Sequence, residues 1–153
     1  MALHYDKKSM MKESLKEMVE VASYCVNFEK SDDTRWVGHM GCYGYPGALL
    51  LLSIVDALGS EIIGGGDDCK KHFKILNHKN YYNLKLKDDI IEKLRNEYRN
   101  YLSHNAQIGN FVAMYPGDED SSLLENKDGF LTLNLKPFLA ISENVVSDFL
   151  NKN

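Results

Sequence analysis

Arg99-Asn100-Tyr101-Leu102-Ser103-His104 puts a permanent cation, an amide and a titratable imidazole into six residues. Arginine stays protonated and can grip a phosphate through two parallel N–H donors. Histidine titrates near neutrality, so it can take up or release a proton. Asparagine can orient that imidazole or add a donor to the phosphate. Together they suit cleavage of a ribose phosphodiester. A base removes the 2′-hydroxyl proton, the oxygen attacks the adjacent phosphorus, and the arginine stabilises the charge building on the phosphate. The reaction calls for no metal and no cofactor. Arg99, Asn100 and His104 are therefore the candidate catalytic residues. A structural reading of the same residues also stands. Arginine and protonated histidine favour the C-terminal end of a helix dipole, and Asn105 is a residue type that ends helices.

The charge around the hexapeptide is uneven. The chain carries a net charge of -4, which argues against a protein that coats nucleic acid indiscriminately. Residues 69–104 nevertheless hold nine basic and four acidic side chains, net +5, while the segments before and after are net -5 and -4. Lys70, Lys71, Lys74 and Arg95 in this island are the candidate RNA contacts. The alternative is a solvated lysine-rich face. Tyr81 and Tyr82 lie between lysines and can stack on bases or pack on the domain. Asp56 sits in the most apolar stretch, where a carboxylate needs partners. It can pair with Arg99 and support the site, or bond Ser53 or backbone near the helix end. Ser103 is a second supporting candidate.

His39-Met40-Gly41-Cys42 and Cys69-Lys70-Lys71-His72 allow another chemistry. His39, Cys42, Cys69 and His72 would make a closed tetrahedral zinc site, although their order is not that of a recognised zinc finger. The alternative is three reduced cysteines, Cys25 among them, acting as small hydrophobes in a cytoplasmic protein.

The elements that position these groups follow from periodicity. Met11, Leu15, Met18, Ala22 and Cys25 mark an amphipathic helix from about Lys7 to Phe28. Residues 36–47 read as an ordered loop, and Pro46 with Gly47 as the start of a second helix. That helix is apolar on nearly all sides, hence central and buried. Its longest apolar run, Ala48 to Leu58, is too short to span a bilayer. Gly64-Gly65-Gly66 reads as a turn, because no lysine-serine or lysine-threonine follows to make a phosphate loop. Asp67 or Asp68 caps a short third helix, and residues 78–87 are irregular.

Asp88 or Asp89 caps the motif helix, whose apolar stripe is Ile91, Leu94, Tyr98, Tyr101 and Leu102. At roughly 100° per residue, Arg99, Asn100, Ser103 and His104 share the opposite, free face, with Arg99 about 140° from His104. Residues 111–115 and 130–135 read as two strands of a hairpin joined by an acidic loop, and a last helix carries Phe138, Ile141, Val145 and Phe149. The expected fold is a single all-α domain over 1–153: an up-and-down bundle of about five helices with a small β-hairpin before the last.

The hexapeptide resembles the R-N-x-x-x-H signature of the HEPN superfamily, small all-helical domains that include many metal-independent ribonucleases. The order of elements resembles a branch of bacterial HEPN proteins over residues 46–150: an apolar helix with Ile54-Val55-Asp56-Ala57-Leu58-Gly59, a long motif helix, short strands, then a helix opened by Leu-x-Leu-x-Pro-Phe. Ser103 stands where such proteins often carry an apolar residue. The resemblance implies a cytoplasmic endoribonuclease, of toxin or host-defence type, acting as a homodimer with the motifs facing each other. It implies RNA as substrate, and an antitoxin protein as partner where it is a toxin. It also allows a non-catalytic nucleotide-binding or protein-interaction module, since many members of the superfamily lack activity.

Overall fold

The computed structural model describes residues 6–30 and 41–152. Helix α1 spans Lys7–Asn27, and the Asp6 carboxylate caps it by accepting from the Ser9 N–H at 2.8 Å. Helix α2 spans Gly44–Ile62, so it starts before Pro46 and absorbs part of the expected loop; residues 36–40 of that loop lie outside the described ones. Pro46 still falls in the first turn, where its missing N–H costs nothing. Ala48, Leu51, Leu52, Ile54, Val55 and Leu58 of α2 are fully buried. By length and composition the 19-residue helix is long enough to cross a bilayer, because it extends past the interrupted apolar run. Here it forms the centre of the domain, packed by α1, the motif helix and the last helix.

Helix α3, Cys69–His72, starts at Asp68, whose carboxylate accepts from the Lys70 N–H, and runs on as a 3-10 turn over Phe73–Asn77. The irregular segment 78–87 is pinned at two points. The Asn77 side chain holds both backbone groups of Leu86 at 2.7 Å. Tyr82 is buried, with its hydroxyl 3.4 Å from Ser142. Tyr82 therefore packs on the domain and cannot stack on an external base, while Tyr81 is half-buried edge-on to His78.

The motif helix has three parts: α4, Asp88–Lys93; a π-helical stretch, Leu94–Asn100; and α5, Tyr101–Asn105. Asp88 and Asp89 do not cap it. Lys87 holds the cap position without a side-chain bond, and the aspartates occupy the first turn, where they favour the helix dipole. The helix ends at Ala106, which takes the left-handed conformation at φ 53°.

Beyond it, β1 (Val112–Tyr115), β2 (Leu124–Lys127) and β3 (Phe130–Asn134) form a sheet in the order β1-β3-β2. The domain is mostly helical, as the periodicity predicts, but this sheet corrects the expected hairpin. Strands β1 and β3 pair in parallel. The hairpin is made by β2 and β3, and β2 lies inside the expected acidic loop. Asp128 and Gly129 turn it, both at positive φ, as a two-residue hairpin turn requires. The last helix, α5's successor α6, spans Leu135–Lys152 and buries Phe138, Val145 and Phe149 against α1 and α2.

Tyr98 joins the motif helix to this sheet. It is fully buried, and its hydroxyl donates toward the Ala113 carbonyl of β1 at 2.8 Å and the Leu131 carbonyl of β3 at 2.7 Å. Burial raises the pKa of the phenol, which stays a donor. Tyr98→Phe should cost about 1–2 kcal/mol, because buried carbonyls lose a donor while the packing volume stays. The check is thermal unfolding by circular dichroism. An unchanged melting temperature would mean that the hydroxyl does not tether helix to sheet.

Candidate functional site

The site is organised by Asp56, which faces out of an otherwise apolar helix. Its Oδ2 accepts from the Arg99 guanidinium at 2.9 Å, and its Oδ1 lies 2.7 Å from His72 Nδ1. His72 Nε2 lies 2.9 Å from the Gly66 carbonyl. Both ring nitrogens of His72 thus lie within hydrogen-bond reach of oxygen atoms. The carboxylate thus sits between the Arg99 guanidinium and the His72 imidazole, with only 19% of its side chain exposed. Asp56 does not bond Ser53, whose hydroxyl donates instead to the Leu49 carbonyl at 2.7 Å.

Local sequence explains the close approach. Gly59 lies one turn beyond Asp56, and a Cβ there would overlap the His72 carbonyl and come within 2.7 Å of its Cα. The glycine lets the backbone of α3 rest directly on α2. Gly64, Gly65 and Gly66 all take positive φ and turn the chain back so that the Gly66 carbonyl meets the ring.

Arg99 does not lie on the free face that an α-helical wheel gives it. It points into the domain with 26% of its side chain exposed. The π-helical stretch is the reason: its wider winding advances each residue by a smaller angle than α-helix does, so the wheel misplaces residues 94–100. Arg99 Nε is buried without a hydrogen-bond partner, so Asp56 holds the guanidinium without satisfying all its donors.

The rest of the hexapeptide is split. His104 is exposed, and its imidazole has no hydrogen bond or ion pair among the described residues. Asn100 is half-buried, and its amide donates to Asn96 at 3.3 Å; the expected contact with His104 is not made. Ser103 is exposed, and its hydroxyl donates to the Asn100 carbonyl at 3.2 Å. Of the basic candidates, Lys70, Lys74 and Arg95 line one cleft between the 3-10 turn and α4. Lys71 does not join them, and lies 3.9 Å from Asp68.

The zinc alternative does not assemble. His39 lies outside the described residues, and both nitrogens of His72 are occupied by Asp56 and Gly66. Among the described residues no group of three or more His, Cys, Asp or Glu is placed to hold a metal. Cys42 is buried. Cys69 sits beside Asp56, with its pKa raised to about 11, first by burial and then by the carboxylate's charge, against the lowering effect of Arg99. It is a thiol at neutral pH, neither nucleophile nor ready ligand.

The residue that sequence reasoning missed as a part of this site is His72, assigned there to zinc. Its signal was the glycine turn six residues before it and the lone carboxylate of α2. Searches against protein-family models, curated proteins and solved structures find no match to this chain.

Two measurements probe this geometry. Gly59→Ala should cost about 1–3 kcal/mol, as overpacking against backbone does; a melting temperature equal to wild type would refute the close contact. Cys69 should react with iodoacetamide at pH 8 roughly 100-fold more slowly than an ordinary cysteine, because its thiolate fraction is lower. Its folded pKa lies above the ordinary 9.0, so its contribution to stability is complete below pH 9 and lost as pH rises toward 11. Asp56→Asn should accelerate that alkylation by removing the charge that holds the proton on; equal rates would place Cys69 elsewhere.

Proposed function

We propose that this chain is a metal-independent endoribonuclease of the HEPN kind. The observation that carries the reading is the division of labour in the hexapeptide: Arg99 fixed by Asp56 at 2.9 Å, and His104 exposed five residues on with its ring unengaged. A pre-set cation and an accessible base on one helix end are the two groups that 2′-hydroxyl attack asks for. His104 takes the 2′-hydroxyl proton. Arg99 turns its donors not used by Asp56 toward the phosphate. Asn100 supplies an amide to the phosphate, released from Asn96 when substrate binds. Asp56 is a positioning residue, acting through Arg99. Ser103 borders the site as an exposed hydroxyl.

A single chain supplies one such histidine, and cleavage needs an acid as well as a base. The reading therefore includes a homodimer in which two motif helices face each other across the RNA. It also includes the finer fold, an up-and-down HEPN bundle, a cytoplasmic location and a toxin or host-defence role, with an antitoxin as partner where it is a toxin. The basic island of residues 69–104 supports RNA as the substrate.

One observation favours a second reading, a non-catalytic HEPN-like nucleotide-binding or protein-interaction module. Arg99 is already ion-paired and Asn100 already bonded within the chain, as structural residues would be.

The deciding assay is purified protein with a mixed RNA pool in EDTA. Cleavage should persist there and leave 2′,3′-cyclic phosphate ends. His104→Ala should lower it by roughly 10²-fold or more without unfolding the domain. Arg99→Lys keeps the charge but loses the fork, so it should also be impaired. Equal activity in wild type and His104→Ala would signal a contaminant and hand the case to the binding module. Light scattering should give a dimer at micromolar concentration; a monomer would remove the shared cleft.

A further inference from the structure

The cleft between the 3-10 turn and α4 encloses about 530 Å3, a size typical of small-ligand sites. Its two walls differ in charge. One wall carries Lys70 of α3 and Lys74 of the 3-10 turn. The α4 wall carries Asp88 and Glu92 with Ile91 between them, and Arg95 closes the end. Among the described residues, Lys70, Lys74 and Asp88 form no ion pair; Glu92 pairs only with Arg95, at 3.5 Å and on its own helix. Asn77 also borders the cleft, but its amide is committed to Leu86. Opposite charges thus face one another across open space without meeting. Such a cleft suits a ligand with an anion at one end and paired hydrogen-bond donors at the other.

A nucleotide has that form, and the bases differ in how well they meet a carboxylate. Guanine presents N1–H and N2–H2 as adjacent donors, which the two oxygens of one carboxylate accept together. Adenine and cytosine present one amino group beside an acceptor nitrogen that a carboxylate repels. Uracil presents a single N–H between two carbonyls. Ile91, nearly buried at the base of the α4 wall, offers an apolar surface to a ring. The cleft also lies near Arg99: Cys69 precedes Lys70 and feels the charges of Asp56, Arg99 and Arg95 together.

We infer that this cleft holds a guanine nucleotide of the bound RNA, its phosphate on Lys70 and Lys74 and its base edge on Asp88 and Glu92. The inference rests on the ribonuclease reading and adds its base preference: the cut falls beside a guanosine. Arg95 is a positioning residue that steadies Glu92 and continues the cationic side toward Arg99.

The test is calorimetric titration of the full chain with GMP, AMP, CMP and UMP, beside mapping of cleavage sites on mixed-sequence oligonucleotides in EDTA. GMP should bind about 10-fold more tightly than the other three, the discrimination expected of one bidentate base contact. Asp88→Asn and Glu92→Gln should each reduce that preference and leave the other nucleotides unaffected. The Lys70→Ala/Lys74→Ala double variant should weaken all four alike. Equal affinities, or no GMP binding at millimolar concentration, would overturn the inference. GMP selectivity without any RNA cleavage would keep the cleft and sink the nuclease reading. Cleavage with no guanine bias at the cut sites would do the reverse. Selectivity for free GMP, with guanine in oligonucleotides ignored, would overturn the placement of the cleft on the RNA path.

Discussion

A carboxylate in the most apolar helix is the constraint around which this domain is arranged. Asp56 projects from a helix whose other faces are filled by the core, and an unpaired charge there would be costly. His72 and Arg99 match it from two directions, and each match places a demand on a distant piece of chain. To bring His72 up, α3 must lie against α2, which only Gly59 permits, and the chain must reverse through three consecutive glycines. To bring Arg99 in, the motif helix must turn toward α2 at a residue that regular α-helical winding would direct elsewhere. One charge thus fixes the relative positions of α2, α3 and the motif helix.

The π-helical stretch reconciles two demands on neighbouring residues. Tyr98 must reach the sheet carbonyls and Arg99 must reach Asp56, while Ile91, Leu94 and Leu102 keep the helix on the core. The apolar residues stay buried across the stretch, so the widened winding is accommodated within the core and leaves the stripe intact. π-Helical turns concentrate at functional sites because they re-aim side chains in this way. The sheet has a matching role. By accepting from Tyr98 it holds the middle of the motif helix from the side away from α2, and the parallel pairing of β1 with β3 puts both acceptor carbonyls beside one hydroxyl.

Much of this was legible in the sequence. Helical periodicity located α1, α2, the motif helix and α6, because one apolar stripe per helix follows from burial on one side. The pairing of Asp56 with Arg99 could be named as an option, because a carboxylate in an apolar run demands a cation. What was not legible depends on geometry that pattern does not encode. The π-helix left no periodic trace, since Leu94, Tyr98 and Leu102 fit an α-helical stripe equally well, and Arg99 was therefore placed on the wrong face. Strand β2 was hidden by its polar residues Glu125, Asn126 and Lys127, which suit an exposed edge. Its turn was signalled by Asp128-Gly129, the dipeptide that favours two-residue hairpins, which identifies β2 and β3 as the hairpin pair. The role of His72 was not legible: spacing relative to cysteines offered zinc as an alternative, whereas its partners lie 16 residues upstream and in a glycine turn.

The same geometry divides the polar groups at this end of the domain into those engaged within the chain and those that are not. Arginine does not give up its proton. The Cys69 thiol is held protonated by burial and by Asp56. The Asp56 carboxylate is engaged through both oxygens, by Arg99 and by His72, and the His72 ring through both nitrogens, by Asp56 and the Gly66 carbonyl. His104 differs from them in every respect that matters: it is exposed, it has no partner to lose among the described residues, and it stands in the last turn before the chain leaves the helix at Ala106. The contacts that position Arg99 are carried by Asp56 and His72 and do not involve His104.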